Sequence, residues 1–189
     1  MSQIGLLTEA VRALESAGVR YLLSGSLASS LQGEPRATHD IDLVVEVDSR
    51  LVSALAEAFG ADPYFFDPRA ARDALGRRGM FNLLDTAGGD KIDFWMLTDD
   101  PFDASRFARR ITVEAFDLSL WVSSPEDTIL QKLRWAAASG GSQRQMRDAV
   151  GVYEVQHGEL DETYLDAWAD RLGISELLTE VRAAASSGA

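Results

Sequence analysis

The spacing of apolar residues changes character once, at Ser124-Pro125-Glu126-Asp127, and that change constrains the fold more than any other feature of the chain. Downstream of it, residues 126–138, 143–156, 162–172 and 175–185 all repeat their apolar positions at helical intervals. The boundary carries its own start signal, with a capping Ser, a Pro at the first helical position and an acid at the third. Upstream, helices are interrupted by short β-branched runs. Ile4, Leu7, Val11 and Leu14 predict a helix that Gly18 ends. Residues 21–23 read as a short buried strand, which runs through Ser24-Gly25-Ser26 into a helix over 27–32 closed by Gly33. Residues 41–47 make the best strand, followed by a helix over 51–59 that Asp48 or Ser49 caps and Gly60 stops. A hairpin is predicted from 80–84 and 91–97 around Thr86-Ala87-Gly88-Gly89-Asp90, and two more strands from 111–115 and 118–122. The expectation is an α+β chain. Residues 1–122 form a core around a small sheet with flanking helices, and residues 123–189 form a helical C-terminal subdomain, with fraying expected over 183–189.

With 189 residues, 46% of them hydrophobic, such a chain holds a core without covalent staples. The absence of Cys excludes disulfides, Cys-based zinc sites and thiol nucleophiles, and two histidines, His39 and His157, exclude a His-rich metal site. No apolar run approaches the roughly 18 residues of a membrane span, and residues 1–10 lack a basic segment leading into an apolar one. The expected setting is therefore soluble and cytoplasmic, with no membrane partner. A net charge of −12 opposes unspecific binding to nucleic acid over the whole surface. The bases are nonetheless clustered: Arg69, Arg72, Arg77 and Arg78, then Arg106, Arg109 and Arg110, then Lys132, Arg134, Arg144 and Arg147. The first of these clusters reads most simply as a solvated face.

Chemistry concentrates in Thr38-His39-Asp40-Ile41-Asp42. Carboxylates at i and i+2 on a strand point to one face, about 7 Å apart. Like charges that close repel, and a hard divalent cation such as Mg²⁺ resolves the conflict by taking carboxylate and phosphate oxygens together. Asp93, within Lys91-Ile92-Asp93-Phe94-Trp95, is a third acid in an apolar strand, and pairing of that strand beside 41–47 would bring it to the same place. Three convergent carboxylates suit metal-assisted phosphoryl or nucleotidyl transfer. Gly25-Ser26, between a strand end and a helix start, offers close backbone approach and free N–H groups to an anion. Plainer roles exist for each: Asp40 and Asp42 in a solvated turn, Asp93 paired with Lys91, Arg36 in a surface ion pair. Likewise Lys132 could snorkel along the stripe Ile129, Leu130, Leu133 and Ala137, and Asp148 could be a helix-surface acid.

Gly25-Ser26 followed by Arg36-Ala37-Thr38-His39-Asp40-Ile41-Asp42-Leu43 resembles the signature of the nucleotidyltransferase superfamily with the DNA polymerase β-like fold. It is most similar to the AbiEii/AbiGii type, which includes bacterial toxin nucleotidyltransferases. Pro125-Glu126-Asp127 with Gln131-Lys132-Leu133, and Arg147-Asp148, resemble that group's later motifs, so the likeness spans residues 21–153. One departure stands out: Gly151 lies near the place where that group often has a second acid. The resemblance implies a small mixed sheet, with Gly25 and Ser26 holding the triphosphate of an NTP such as ATP. It implies Asp40 and Asp42 as Mg²⁺ ligands and Asp93 as third carboxylate and acceptor base. By the same token Lys132 would contact a phosphate, and Asp148 would orient it or assist the acceptor.

The reading that follows is a Mg²⁺-dependent nucleotidyltransferase that moves NMP from an NTP to an acceptor, with RNA or tRNA and a cognate antitoxin as partners implied by the toxin resemblance. Its rivals are a catalytically silent binding module or toxin–antitoxin component, and an antibiotic-type enzyme acting on a small molecule.

Overall fold

A computed structural model describes residues 2–187. Its elements run α1 (Gln3–Ser16), β1 (Tyr21–Ser24), α2 (Gly25–Gln32), β2 (Asp40–Val45), α3 (Arg50–Phe59), β3 (Tyr64–Phe66), α4 (Pro68–Arg77), β4 (Met80–Asp85), β5 (Lys91–Met96), α5 (Pro101–Ala108), β6 (Ile111–Ala115), β7 (Leu118–Val122), α6 (Pro125–Ala138), α7 (Gln143–Val155), α8 (Glu162–Leu172) and α9 (Ser175–Ser187). The chain is α+β, with one mixed seven-stranded sheet in the order β3-β4-β5-β2-β1-β7-β6. Packing divides it into two compact units, one of Met1–Ser24 with Thr38–Val122 and one of Gly25–Ala37 with Ser123–Ala189.

The first unit is built on the sheet. β2 runs antiparallel to β1 and parallel to β5, while β4 pairs antiparallel with β5, completing the expected hairpin. Alternation along β2 and β5 sends Ile41, Leu43, Ile92 and Phe94 into the fully buried core. Helices α1 and α3 pack on each other and add Leu6, Leu7, Leu14, Leu51 and Leu55 to the core. The α3 cap comes from Asp48, whose Oδ1 accepts from the Arg50 amide at 2.8 Å; Ser49 makes no side-chain cap bond.

Three elements were not expected: β3, α4 and α5. α4 buries only Ala71 and Ala74, too thin a stripe to register as helical periodicity. A second signal was present for both helices. Asp67 and Asp100 cap them by accepting from the amides two and three residues on, and each is followed by Pro at the first helical position.

The second unit consists of α2 and the C-terminal helices. α6 and α7 pack on each other and on α2, while α8 and α9 add to α6 and α7. The α6 start is built as its sequence announces: Ser124 Oγ accepts from the Asp127 amide at 3.2 Å. The fully buried Asp127 carboxylate in turn accepts from Ser124 Oγ and from Tyr164 Oη, at 3.0 and 2.7 Å. Glu126 Oε1 accepts from the Asp161 amide at the head of α8. Pro125-Glu126-Asp127 is thus an anchoring motif, which fixes the phase of α6 and hangs α8 on it. The segment 25–37 groups with these helices because α2 ends in a close approach: a Cβ at Gly33 would stand 2.7 Å from the backbone of Gly151 and Val152. The helix expected over 175–185 extends to Ser187, and the rest of the tail, Gly188 and Ala189, lies outside the described residues.

Candidate functional site

In the first unit, strand register assembles a polar row on the sheet face opposite Ile41 and Leu43. Asp42 lies between Ser24 of β1 and Asp93 of β5, and Asp93 is flanked on its other side by Asn82 of β4. One step along, Asp40 is paired in register with Lys91. Parallel pairing of β2 with β5 is what unites Asp42 and Asp93, 51 positions apart in the chain. The row is unevenly buried. Asp93 is 7% exposed, Asp42 is half-buried and Asp40 is exposed.

Each acid has a definite environment. Trp95 Nε1 donates to Asp42 Oδ1 at 3.2 Å. Lys91 Nζ stands 3.3 Å from Asp40 Oδ1 and 2.9 Å from Asp93 Oδ2. Asp93 Oδ1 is buried with no hydrogen-bond partner. A buried carboxylate oxygen without a donor carries a desolvation cost that a ligand or cation would offset. Among the described residues no group of three or more His, Asp or Glu side chains stands in metal-holding geometry. Asp40 and Asp93 both contact the Lys91 ammonium, and Asp42 contacts the Trp95 indole. The cluster nonetheless fits a hard cation, since its donors are carboxylate oxygens, one of them unsatisfied, and it already gathers around a positive charge.

The second unit assembles the other residues that the sequence singled out. Gly25 takes a φ of +66°, the left-handed region, which lets α2 begin directly after β1. Ser26, on the first turn of α2, accepts a short hydrogen bond from Arg36 Nη2. The same guanidinium grips Asp148 with two bonds, Nε to Oδ1 and Nη2 to Oδ2, both 2.8 Å. Lys132 Nζ reaches Asp148 Oδ2 at 2.6 Å. Ser26, Arg36, Lys132 and Asp148 therefore form one network on α2, the segment after it, α6 and α7. Lys132 does not snorkel: the residue is 4% exposed and its charge is met inside the protein. Arg36 holds a half-buried bidentate pair rather than a surface one. Burial alone would push the Asp148 carboxyl up; the hydrogen bonds from Arg36 and then Lys132 outweigh it and hold Asp148 below the ordinary carboxylate value.

Beside the network, Arg36, Arg144 and Arg147 join Glu34 and Asp148 around a cleft of about 330 Å³. Gly151 lines the same cleft. A Cβ there would meet the Glu34 amide at 3.4 Å, an ordinary contact distance. The other basic clusters are partly taken up by acids and rings. Arg78 pairs with Asp99 and Arg106 with Asp103, while Arg110 lies over the rings of Phe107 and Trp121.

Solved structures with the same architecture decide the fold. One is the crystal structure of ANT(2")-Ia in complex with adenylyl-2"-tobramycin. It is 13% identical with a TM-score of 0.57, over 90% of this chain and 99% of that one. The chain has the nucleotidyltransferase fold. A second neighbour is an antigenic nucleotidyltransferase-like protein from Paracoccidioides brasiliensis, 20% identical with a TM-score of 0.54 over 92% of this chain and 91% of that one. The solution structure of the antibiotic-resistance factor ANT(2'')-Ia aligns at a TM-score of 0.55 and 16% identity, over 94% and 97% of the two chains. No family profile matches the sequence, and no curated protein does. The nucleotidyltransferase likeness is thus one of fold, and it does not reach the AbiEii/AbiGii branch. No helix among the described residues is long and apolar enough to cross a membrane.

Proposed function

We propose that this chain is a Mg²⁺-dependent nucleotidyltransferase that moves a nucleoside monophosphate from an NTP to an acceptor hydroxyl and releases pyrophosphate. The observation that carries the reading is the carboxylate row on β2 and β5, with the buried, unpartnered Oδ1 of Asp93 at its centre. Asp40, Asp42 and Asp93 would hold Mg²⁺, which supplies charge neutralisation of the triphosphate. The chain's own groups do the rest. Gly25 and Ser26 present backbone N–H groups and a hydroxyl to phosphate oxygens. Asp93 Oδ1 accepts the proton of the attacking hydroxyl as the new oxygen–phosphorus bond forms and the bond to pyrophosphate breaks. Asp148 would fix Lys132 in position for a phosphate.

For the acceptor, a small polar molecule is the first reading. A net charge of −12 attracts a cationic acceptor and repels a polyanion, and many of the arginines are taken up by acids or aromatic rings. The nucleotidyltransferase-fold neighbour bound to adenylyl-2"-tobramycin is of that kind. RNA or tRNA is the second reading, favoured by the cleft that Arg36, Arg144 and Arg147 line. A cognate antitoxin rests on the toxin resemblance alone. The test is incubation with each labelled NTP and Mg²⁺, together with either cellular RNA or a small-molecule extract. Label on a small molecule supports the first reading and label on RNA the second. Absence of transfer to either supports a silent nucleotidyltransferase-fold module.

A further inference from the structure

The Lys91 ammonium contacts two acids of the carboxylate row. Its register partner on β2 is Asp40, and two residues along its own strand is Asp93, so sheet geometry places one cation between acids of two strands. The distances, 3.3 Å to Asp40 Oδ1 and 2.9 Å to Asp93 Oδ2, are those of ion pairs. The Lys91 side chain is 31% exposed, and its four-carbon stem can carry the ammonium outward without moving the strand. Asp93 keeps one oxygen on Lys91 and the other, buried, on nothing.

We propose that Lys91 is a built-in counter-cation, which neutralises Asp40 and Asp93 in the metal-free protein and must swing out when a divalent cation binds. This inference rests on the metal-site reading above. Two consequences follow from the competition. The protein tolerates a row of acids on its sheet without metal, because the lysine supplies the missing charge. The apparent metal affinity is lowered by the fraction of molecules in which Lys91 occupies the acids. Lys91 is thus a positioning residue that sets the metal concentration at which the site fills.

The experiment is titration of the full chain with Mn²⁺, followed by electron paramagnetic resonance, and with Mg²⁺ by calorimetry. The proteins are wild type, Lys91→Met, Lys91→Arg and Asp93→Asn, all without nucleotide. Lys91→Met keeps the length of the side chain and removes the charge. It is expected to bind either ion about tenfold more tightly, the worth of two partly exposed ion pairs. Lys91→Arg should stay near wild type, and Asp93→Asn should lose binding. Thermal unfolding gives an independent readout: Lys91→Met should melt lower than wild type in chelator and gain more on adding Mg²⁺. Equal or weaker affinity in Lys91→Met, with binding intact in wild type and lost in Asp93→Asn, overturns the role of Lys91 and leaves the metal site standing. Binding unaffected by Asp93→Asn, or absent from every protein, overturns the metal site and this inference together.

Discussion

Arg36 and Asp148, 112 positions apart in the chain, meet in a bidentate pair with both bonds at 2.8 Å. With Lys132 as second donor, Asp148 carries two cations on one buried carboxylate, so the charge balance of the helical unit hinges on it. Asp148→Asn removes the buried carboxylate that Arg36 and Lys132 share and is expected to cost about 3 kcal/mol of stability at neutral pH. Urea unfolding measures this. Asp148→Asn combined with Lys132→Met should recover part of the loss.

The same pair predicts a pH dependence. The Asp148 carboxyl is held below its ordinary value by Arg36 and Lys132 against the opposing effect of burial. A depressed carboxylate contributes its stability in full above the unfolded-state value, near pH 4, and loses it as pH falls through the folded-state value. The stability gap between wild type and Asp148→Asn should therefore hold constant from pH 7 to about pH 5 and shrink below about pH 4. Urea midpoints of both proteins across that range test it. A gap that persists undiminished to pH 2 would assign the loss to something other than charge.

Gly33 and Gly151 make a graded test of helix packing. A Cβ at Gly33 would meet the backbone of Gly151 and Val152 at 2.7 Å, where neither side has a flexible group to yield. Gly33→Ala is expected to destabilise by about 1–3 kcal/mol, the range for overpacking. At Gly151 the nearest atoms stand at 3.4 and 3.6 Å, and two of the three belong to the Glu34 side chain. Gly151→Ala should cost less than Gly33→Ala, as read by thermal melts of the two variants.

The α6 start offers a third contrast. Ser124→Ala removes a capping acceptor and should cost about 1 kcal/mol. Asp127→Ala removes a fully buried carboxylate and the hydrogen bonds that Tyr164 Oη and Ser124 Oγ donate to it. It should cost about 2–3 kcal/mol. Chemical unfolding of the two variants ranks them.

Much of this architecture is legible in the sequence where a local signal and a tertiary role coincide. Ser124-Pro125-Glu126-Asp127 announces α6 because its cap is local, and β2 announces itself because alternation and β-branching agree. The meeting of Asp42 with Asp93 needs only the correct strand neighbour. The helices that escaped, α4 and α5, have Asp-Pro starts but little apolar periodicity to follow. Within the candidate site, the part that escaped was pairing. That Arg36 takes Ser26 and Asp148 together depends on three distant segments folding onto each other, which no spacing encodes. Lys91 was half visible: its i, i+2 relation to Asp93 is in the sequence, but its bond to Asp40 follows from parallel register.

The central claim is that the carboxylate row binds metal for nucleotide chemistry, and calorimetric titration with each of the four NTPs, with and without Mg²⁺, tests it most directly. Wild type, Asp42→Asn and Asp93→Asn are compared, with thermal melts confirming that each variant is folded. The account predicts NTP binding that requires Mg²⁺ in the wild type and is lost in both variants. NTP binding of equal strength in all three proteins, whether Mg²⁺ is present or removed, would contradict it.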